Sequence, residues 1–124
     1  MILCYPVIMS EGDKIHAGSI NNLLGEKATD KEYLELVSCE KQISEDTPPA
    51  FIWHTQEDDC VPVENSLEFA LAMRKHHIPF ELHIYEIGPH GLSLCDDTVN
   101  DGNRTFPVDN ANWMEMAIKW LKRL

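Results

Sequence analysis

Two short segments of this sequence place an acid and a histidine in loops of the kind that carry chemistry. The first is His54-Thr-Gln-Glu-Asp58-Asp59-Cys-Val-Pro62, the second Gly88-Pro-His90-Gly-Leu92. A carboxylate can fix the tautomer of an imidazole and stabilise its protonated form, and the imidazole can then act as general base toward a nucleophile. Asp58 and His90 are the candidates for those two roles. Gly88 and Gly91 flank His90 and allow a tight loop that presents its ring. Taken singly, each has a plainer reading: His90 as a surface-turn histidine, Asp58 as a solvated loop acid. His54 ends an apolar run and reads as a packing or hydrogen-bonding residue. His76 and His77 follow a helix, where cations complement the helix dipole.

Other site chemistries find little support. The six histidines show no H-E-x-x-H or H-x-x-E-H spacing, so no zinc site is expected. Cys4, Cys39, Cys60 and Cys95 form no C-x-x-C pair, and no metal or other cofactor is expected from them. The N-terminal run Met1-Ile-Leu-Cys-Tyr-Pro-Val-Ile lacks the basic flank of a signal peptide, which favours a cytoplasmic protein with free thiols. The 124 residues carry 10 Lys+Arg against 21 Asp+Glu, a net charge of −11, and no basic cluster of the kind nucleic acid needs. The longest apolar runs fall far short of the ~20 residues that span a bilayer. Neither nucleic acid nor a membrane is therefore an expected partner.

The elements that must position Asp58 and His90 are legible from periodicity. Residues 2–8 form an apolar run of strand length, which Pro6 ends near Tyr5. Residues 9–20 read as loop. A helical region then runs from Asn21 to Ile43, broken at Gly25, with Asp30 as cap and Tyr33, Leu34, Leu36 and Val37 as apolar face. Ala50-Phe-Ile-Trp53 is a second strand. A helix from Val63 to His77 follows, apolar nearly all round and so expected to be well buried. Phe80, Leu82 and Ile84 alternate with Glu81, His83 and Tyr85 in a third strand. After an irregular stretch, 88–109, a helix begins at Asn110, with Trp113, Met116, Ala117, Trp120, Leu121 and Leu124 at helical spacing. Strands alternating with helices argue for an α/β fold: a mainly parallel sheet of about three strands, flanking helices and a helical insertion. In such sheets chemistry collects at the carboxyl ends of strands. The loops after the second and third strands are the two that hold Asp58 and His90.

These residues resemble a family. Ile2-Leu-Cys-Tyr-Pro-Val-Ile8, Asn22-Leu-Leu-Gly25, Thr47-Pro-Pro49, His54-x3-Asp58-x2-Val61-Pro62-Val-Glu-Asn-Ser66 and Gly88-x-His90-Gly-Leu92 are similar to the C-terminal part of α/β-hydrolase-fold esterases. The similar branch holds bacterial acetyl esterases and acetylxylan-esterase-like or xylanase-associated hydrolases. The resemblance implies that Asp58 is the catalytic acid and His90 the catalytic histidine, with Asp59 the fallback if the register slips by one. It implies an ester hydrolase (esterase or lipase-like) for small acetylated substrates such as acetylated sugars.

The sequence departs from the family in one respect. Such enzymes set their serine in a G-x-S-x-G elbow ahead of the acid, and none of the six serines has that setting. The expectation is a single partial domain, residues 1–124, that begins after the nucleophile helix and has little activity alone. Its first strand, 2–8, would then carry a bare edge able to pair with a second copy. Two other readings stay open: a non-catalytic half-domain that assembles with a partner or with itself, and a peptidase of the same fold.

Overall fold

In the computed structural model, which describes residues 1–96 and 108–124, three parallel strands form one sheet in the order β1-β2-β3. They are β1 (Ile2–Cys4), β2 (Ala50–Thr55) and β3 (Phe80–Tyr85). Parallel neighbours need long crossovers. The one between β1 and β2 holds α1 (Ala17–Leu24) and α2 (Lys31–Val37), and that between β2 and β3 holds α3 (Glu64–Lys75). After β3 the chain reaches α4 (Trp113–Leu121).

The middle strand organises the core. All six residues of β2 are buried, and because side chains alternate along a strand its two faces feed separate clusters. Ala50 and Ile52 pack with Ile8, Ile43, Phe69, Ala70 and Met73 on the α3 side. Phe51 and Trp53 pack with Leu92, Trp113, Ala117 and Trp120 on the α4 side. Each such side chain taken out of water contributes roughly 1.5–3 kcal/mol. On the α4 side Trp53 stacks on Trp113 with ring centroids 5.1 Å apart. Register pairs Ala50 with Phe80 and Thr55 with Tyr85, so β2 and β3 end level with each other. The loops that leave them start side by side.

Several expectations need correction. The stretch expected to be loop through Ile20 becomes helix at Ala17, because the His16 ring accepts the Ser19 N–H and caps α1. Histidine is not among the usual cap residues, so nothing local announced that start. Asp30 does cap α2, accepting from the Glu32 N–H at 3.1 Å, yet Tyr33 and Leu36 face outward. Likewise α3 is not apolar all round in use: Phe69, Ala70 and Met73 are buried while Leu67 and Leu71 are exposed. The helix expected from Asn110 starts as a 3₁₀ turn, Val108–Asn112, with regular helix from Trp113, and Leu121 and Leu124 lie exposed. The first strand ends at Cys4, one residue before Tyr5, where Pro6 was expected to end it. Of the stretch expected to be irregular, residues 97–107 lie outside the described residues.

Beyond β3 the chain turns at Gly88, whose φ of +137° is strained for any residue with a side chain. A Cβ there would meet Leu92 Cδ1 at 2.8 Å, Asn110 Nδ2 at 3.1 Å and Thr55 Cγ2 at 3.2 Å. The same turn is fixed by Thr55 Oγ1 donating to the Gly88 carbonyl at 2.7 Å and by Asn110 Nδ2 donating to the Ile87 carbonyl at 2.8 Å. Gly88→Ala is therefore expected to lower stability by about 1–3 kcal/mol. Urea unfolding measures this, and a midpoint equal to the wild type would contradict it.

Candidate active site

Asp58 lies three residues past the end of β2, with a side chain that has no exposed surface. A carboxylate removed from water must have its lone pairs occupied. Four donors meet that need. Oδ1 accepts the backbone N–H of Cys60 at 3.0 Å and of Val61 at 2.8 Å. Oδ2 accepts Nδ1–H of His90 at 2.7 Å and Nε2–H of His54 at 3.2 Å. The turn after β2 folds back on its own carboxylate, and this aims Oδ2 at the loop after β3.

His90 is placed by that loop. Its ring is about a third exposed, 32%, in contrast to the fully covered Asp58. With Nδ1 engaged by the carboxylate, Nε2 has no hydrogen-bond partner among the described residues. The ring edge meets the Tyr5 ring, centroids 4.9 Å apart and planes at 71°. Tyr5 reaches it through an unusual backbone. Cys4 and Tyr5 both pack on the α4 side, which strand alternation alone would forbid. The φ of +39° at Tyr5 breaks the alternation. Its hydroxyl also accepts the Ser93 N–H at 3.1 Å, tying the histidine loop to β1.

His54 is the third group at the carboxylate, fully buried one residue before the end of β2. Its Nε2 faces two acceptors, Asp58 Oδ2 and the Val61 carbonyl at 2.9 Å, so that nitrogen carries the proton. Nδ1 is then the acceptor for the Ser66 hydroxyl at 2.8 Å. Burial pushes the His54 pKa below the ordinary 6.5, a pull that the Val61 carbonyl and Asp58 oppose. His54 is a neutral donor.

The structure thus brings Asp58 and His90 together, and it is Asp58 rather than the exposed Asp59 that meets the imidazole. His54 is the hydrogen-bonding residue expected, though its contact with the same carboxylate oxygen was not anticipated. Tyr5 and Ser66 went unmarked as parts of the site. No sequence signal announces a positive φ at a tyrosine. Ser66, by contrast, stands where a helix beginning at Glu64 turns its first inward residues toward β2. Cys95, near Tyr85 and Trp113, is pushed up to about 11 by burial and stays protonated, so it offers no competing nucleophile. Among the described residues no three of His, Cys, Asp and Glu stand where they could share a metal ion, and no helix is long and apolar enough to cross a membrane.

Comparison with known proteins gives the family and the fold. Residues 7–73, more than half of the chain, match the profile of the BD-FAE family. The chain belongs to that family. This BD-FAE chain is 48% identical over 102 residues to endo-1,4-beta-xylanase B of Butyrivibrio fibrisolvens, a match covering 82% of the chain and 16% of the xylanase. It superimposes on the acetyl ester-xyloside bifunctional hydrolase of Caldicellulosiruptor lactoaceticus with a TM-score of 0.84 at 43% identity, over 98% of this chain and 41% of that one. A sugar hydrolase of Lactococcus lactis gives a TM-score of 0.80 at 34% identity, over 98% and 46%. The fold is that of the α/β hydrolases, and the chain spans less than half the length of these relatives.

The depressed pKa of His54 has a measurable consequence. Unfolded, the imidazole takes up a proton near its ordinary 6.5, whereas folded it resists doing so. The unfolded state then binds more protons, so this contribution is complete above about pH 6.5 and is lost as pH falls through the interval below it, with a slope of at most about 1.4 kcal/mol per pH unit. Urea midpoints between pH 8 and pH 5.5 should fall on the acid side in the wild type. They should fall less in His54→Gln, and equal slopes in both would contradict the assignment.

Proposed function

We propose that this chain supplies the acid and the base of a carboxylic-ester hydrolase acting on small acetylated substrates, acetylated sugars among them. The observation that carries this reading is the 2.7 Å contact between Asp58 Oδ2 and His90 Nδ1 at the carboxyl ends of adjacent parallel strands, with Nε2 unengaged among the described residues. Residues 1–124 are the C-terminal portion of one α/β-hydrolase domain, whose serine nucleophile and oxyanion hole lie in the rest of that domain. No G-x-S-x-G occurs in the sequence, and the match to solved relatives takes in 98% of this chain but only 41–46% of theirs. The similarity to the Caldicellulosiruptor protein, an acetyl ester-xyloside bifunctional hydrolase, supports the substrate class. Four free thiols suit a cytoplasmic protein.

The chemistry follows from the geometry. Asp58 holds His90 as the Nδ1–H tautomer, which leaves the Nε2 lone pair to take the proton of the serine hydroxyl as it attacks the acyl carbon. The imidazolium that forms sits against a carboxylate already held by two backbone N–H groups and a neutral imidazole. His90 next gives the proton to the departing alcohol oxygen, leaving an acyl-enzyme. Water then repeats the exchange: His90 takes its proton as the oxygen attacks the acyl carbon and gives it to the departing serine oxygen, which releases the carboxylic acid and restores the serine hydroxyl. Acid and base without nucleophile or oxyanion donors give little acceleration, because losing one such donor already costs about 10²–10³ in rate.

Two outcomes test this. The 124-residue chain alone should turn over p-nitrophenyl acetate no faster than its His90→Ala variant. A chimaera joining this chain to the portion of the Caldicellulosiruptor hydrolase outside the match should hydrolyse the ester, and Asp58→Asn should reduce that rate by about 10⁴. Undiminished hydrolysis by the Asp58→Asn chimaera would contradict the proposal.

The edge of β1 carries a second part of the proposal. Among the described residues β1 pairs only with β2, and its Ile2 is 39% exposed. An open strand edge is a template for another strand. In the isolated chain it pairs with a second copy through residues 2–4 of the expected 2–8 segment. Sedimentation at high micromolar concentration should show dimers, and a monomer there would contradict it.

A further inference from the structure

Asp58 Oδ2 accepts from two imidazoles, and only one of them is needed for acid–base chemistry. We infer that His54, held by Ser66, is a positioning residue that fixes the Asp58 carboxylate for His90; this rests on the reading of Asp58 and His90 as acid and base.

The geometry leaves His54 little freedom. Its Nε2–H lies between Asp58 Oδ2 at 3.2 Å and the Val61 carbonyl at 2.9 Å, and Ser66 Oγ–H occupies Nδ1 at 2.8 Å. Both nitrogens are engaged, the ring has no exposed surface, and Ser66 is itself fully buried on α3. The flipped tautomer would turn a lone pair toward two acceptors, which a dry site does not tolerate. His54 therefore offers Asp58 a donor of fixed direction.

A carboxylate gripped only through Oδ1 could still tilt about that oxygen as its side-chain torsions shift. The Cys60 and Val61 N–H groups hold Oδ1, and His54 supplies the constraint on Oδ2. With both oxygens pinned, the lone pair of Oδ2 that faces Nδ1 of His90 keeps its direction. The neutrality of His54 matters as much as its position. A cationic imidazole at 3.2 Å would compensate the Asp58 charge, and less of it would remain to stabilise the imidazolium of His90. Positioning of this kind is steep: a displacement of about 1 Å costs on the order of 10² in rate.

The test reads the hydrogen bond itself on the 15N-labelled 124-residue chain. The measured quantity is the solvent-exchange lifetime of the His90 Nδ1 proton, observed in the imidazole region of the NMR spectrum. Ser66→Ala, a small change in a buried site, should shorten that lifetime at least tenfold, and His54→Phe should do so as well. His54→Gln, which can return an N–H donor to Asp58, should restore part of it. Far-ultraviolet circular dichroism separates folded variants from unfolded ones, and Ser66→Ala carries the test if His54→Phe does not fold. A lifetime unchanged in folded Ser66→Ala and His54→Phe, while Asp58→Asn abolishes the protected signal, would overturn the positioning role and leave the acid–base pair intact. A signal indifferent to Asp58→Asn would instead overturn the pairing on which the proposed function rests.

Discussion

A carboxylate cut off from water is the constraint around which this part of the molecule is arranged. Asp58 has no exposed side-chain surface, and an unpaired buried charge would cost several kcal/mol. The chain answers with two backbone N–H groups from the following turn and two imidazoles from opposite sides. One imidazole is interior and neutral, the other partly exposed. That asymmetry divides the labour. In the proposed reading the interior ring holds the carboxylate still, and the exposed ring exchanges protons with a reacting group.

The sheet exists, for this purpose, to bring those groups to one place. Level ends of β2 and β3 start two loops side by side, and cores on both faces of β2 make the platform rigid. Each loop is then tied to its neighbours. Thr55 and Asn110 fix the turn at Gly88, Tyr5 ties Ser93 to β1, and Ser66 on α3 reaches His54 from beneath. Contributions from the residue after β1, from β2, from α3 and from the 3₁₀ turn before α4 thus hold the groups that meet at one carboxylate. Positions far apart in sequence carry its geometry, as the proposed acid–base role of Asp58 and His90 requires.

Much of this was legible in the sequence. The unbroken apolar run Ala50–Trp53 marks a strand covered on both faces, and the alternation Phe80–Tyr85 marks its neighbour. Once those strands are parallel, a polar loop after each must lie at the same sheet edge, and the acid and histidine in them become neighbours. What remained hidden depends on contacts that no local pattern encodes. His16 caps a helix although histidine is a poor cap by type, and Tyr5 adopts a backbone that its residue type disfavours. Leu67 and Leu71 look as apolar as Phe69 and Met73, but the packing partners of α3 decide which side is covered. His54 was readable as a hydrogen-bonding residue, yet its acceptor depends on how the turn through Asp58 closes.

The account stands or falls on which nitrogen of His90 carries the proton. Imidazole 15N shifts of the neutral ring, assigned in the 124-residue chain, report this without reference to any substrate. The expected result is a protonated Nδ1 facing Asp58 and a bare Nε2, with that preference lost in Asp58→Asn. A protonated Nε2 with a bare Nδ1 would mean the imidazole is not held by the carboxylate as described, and the acid–base pair would have no basis.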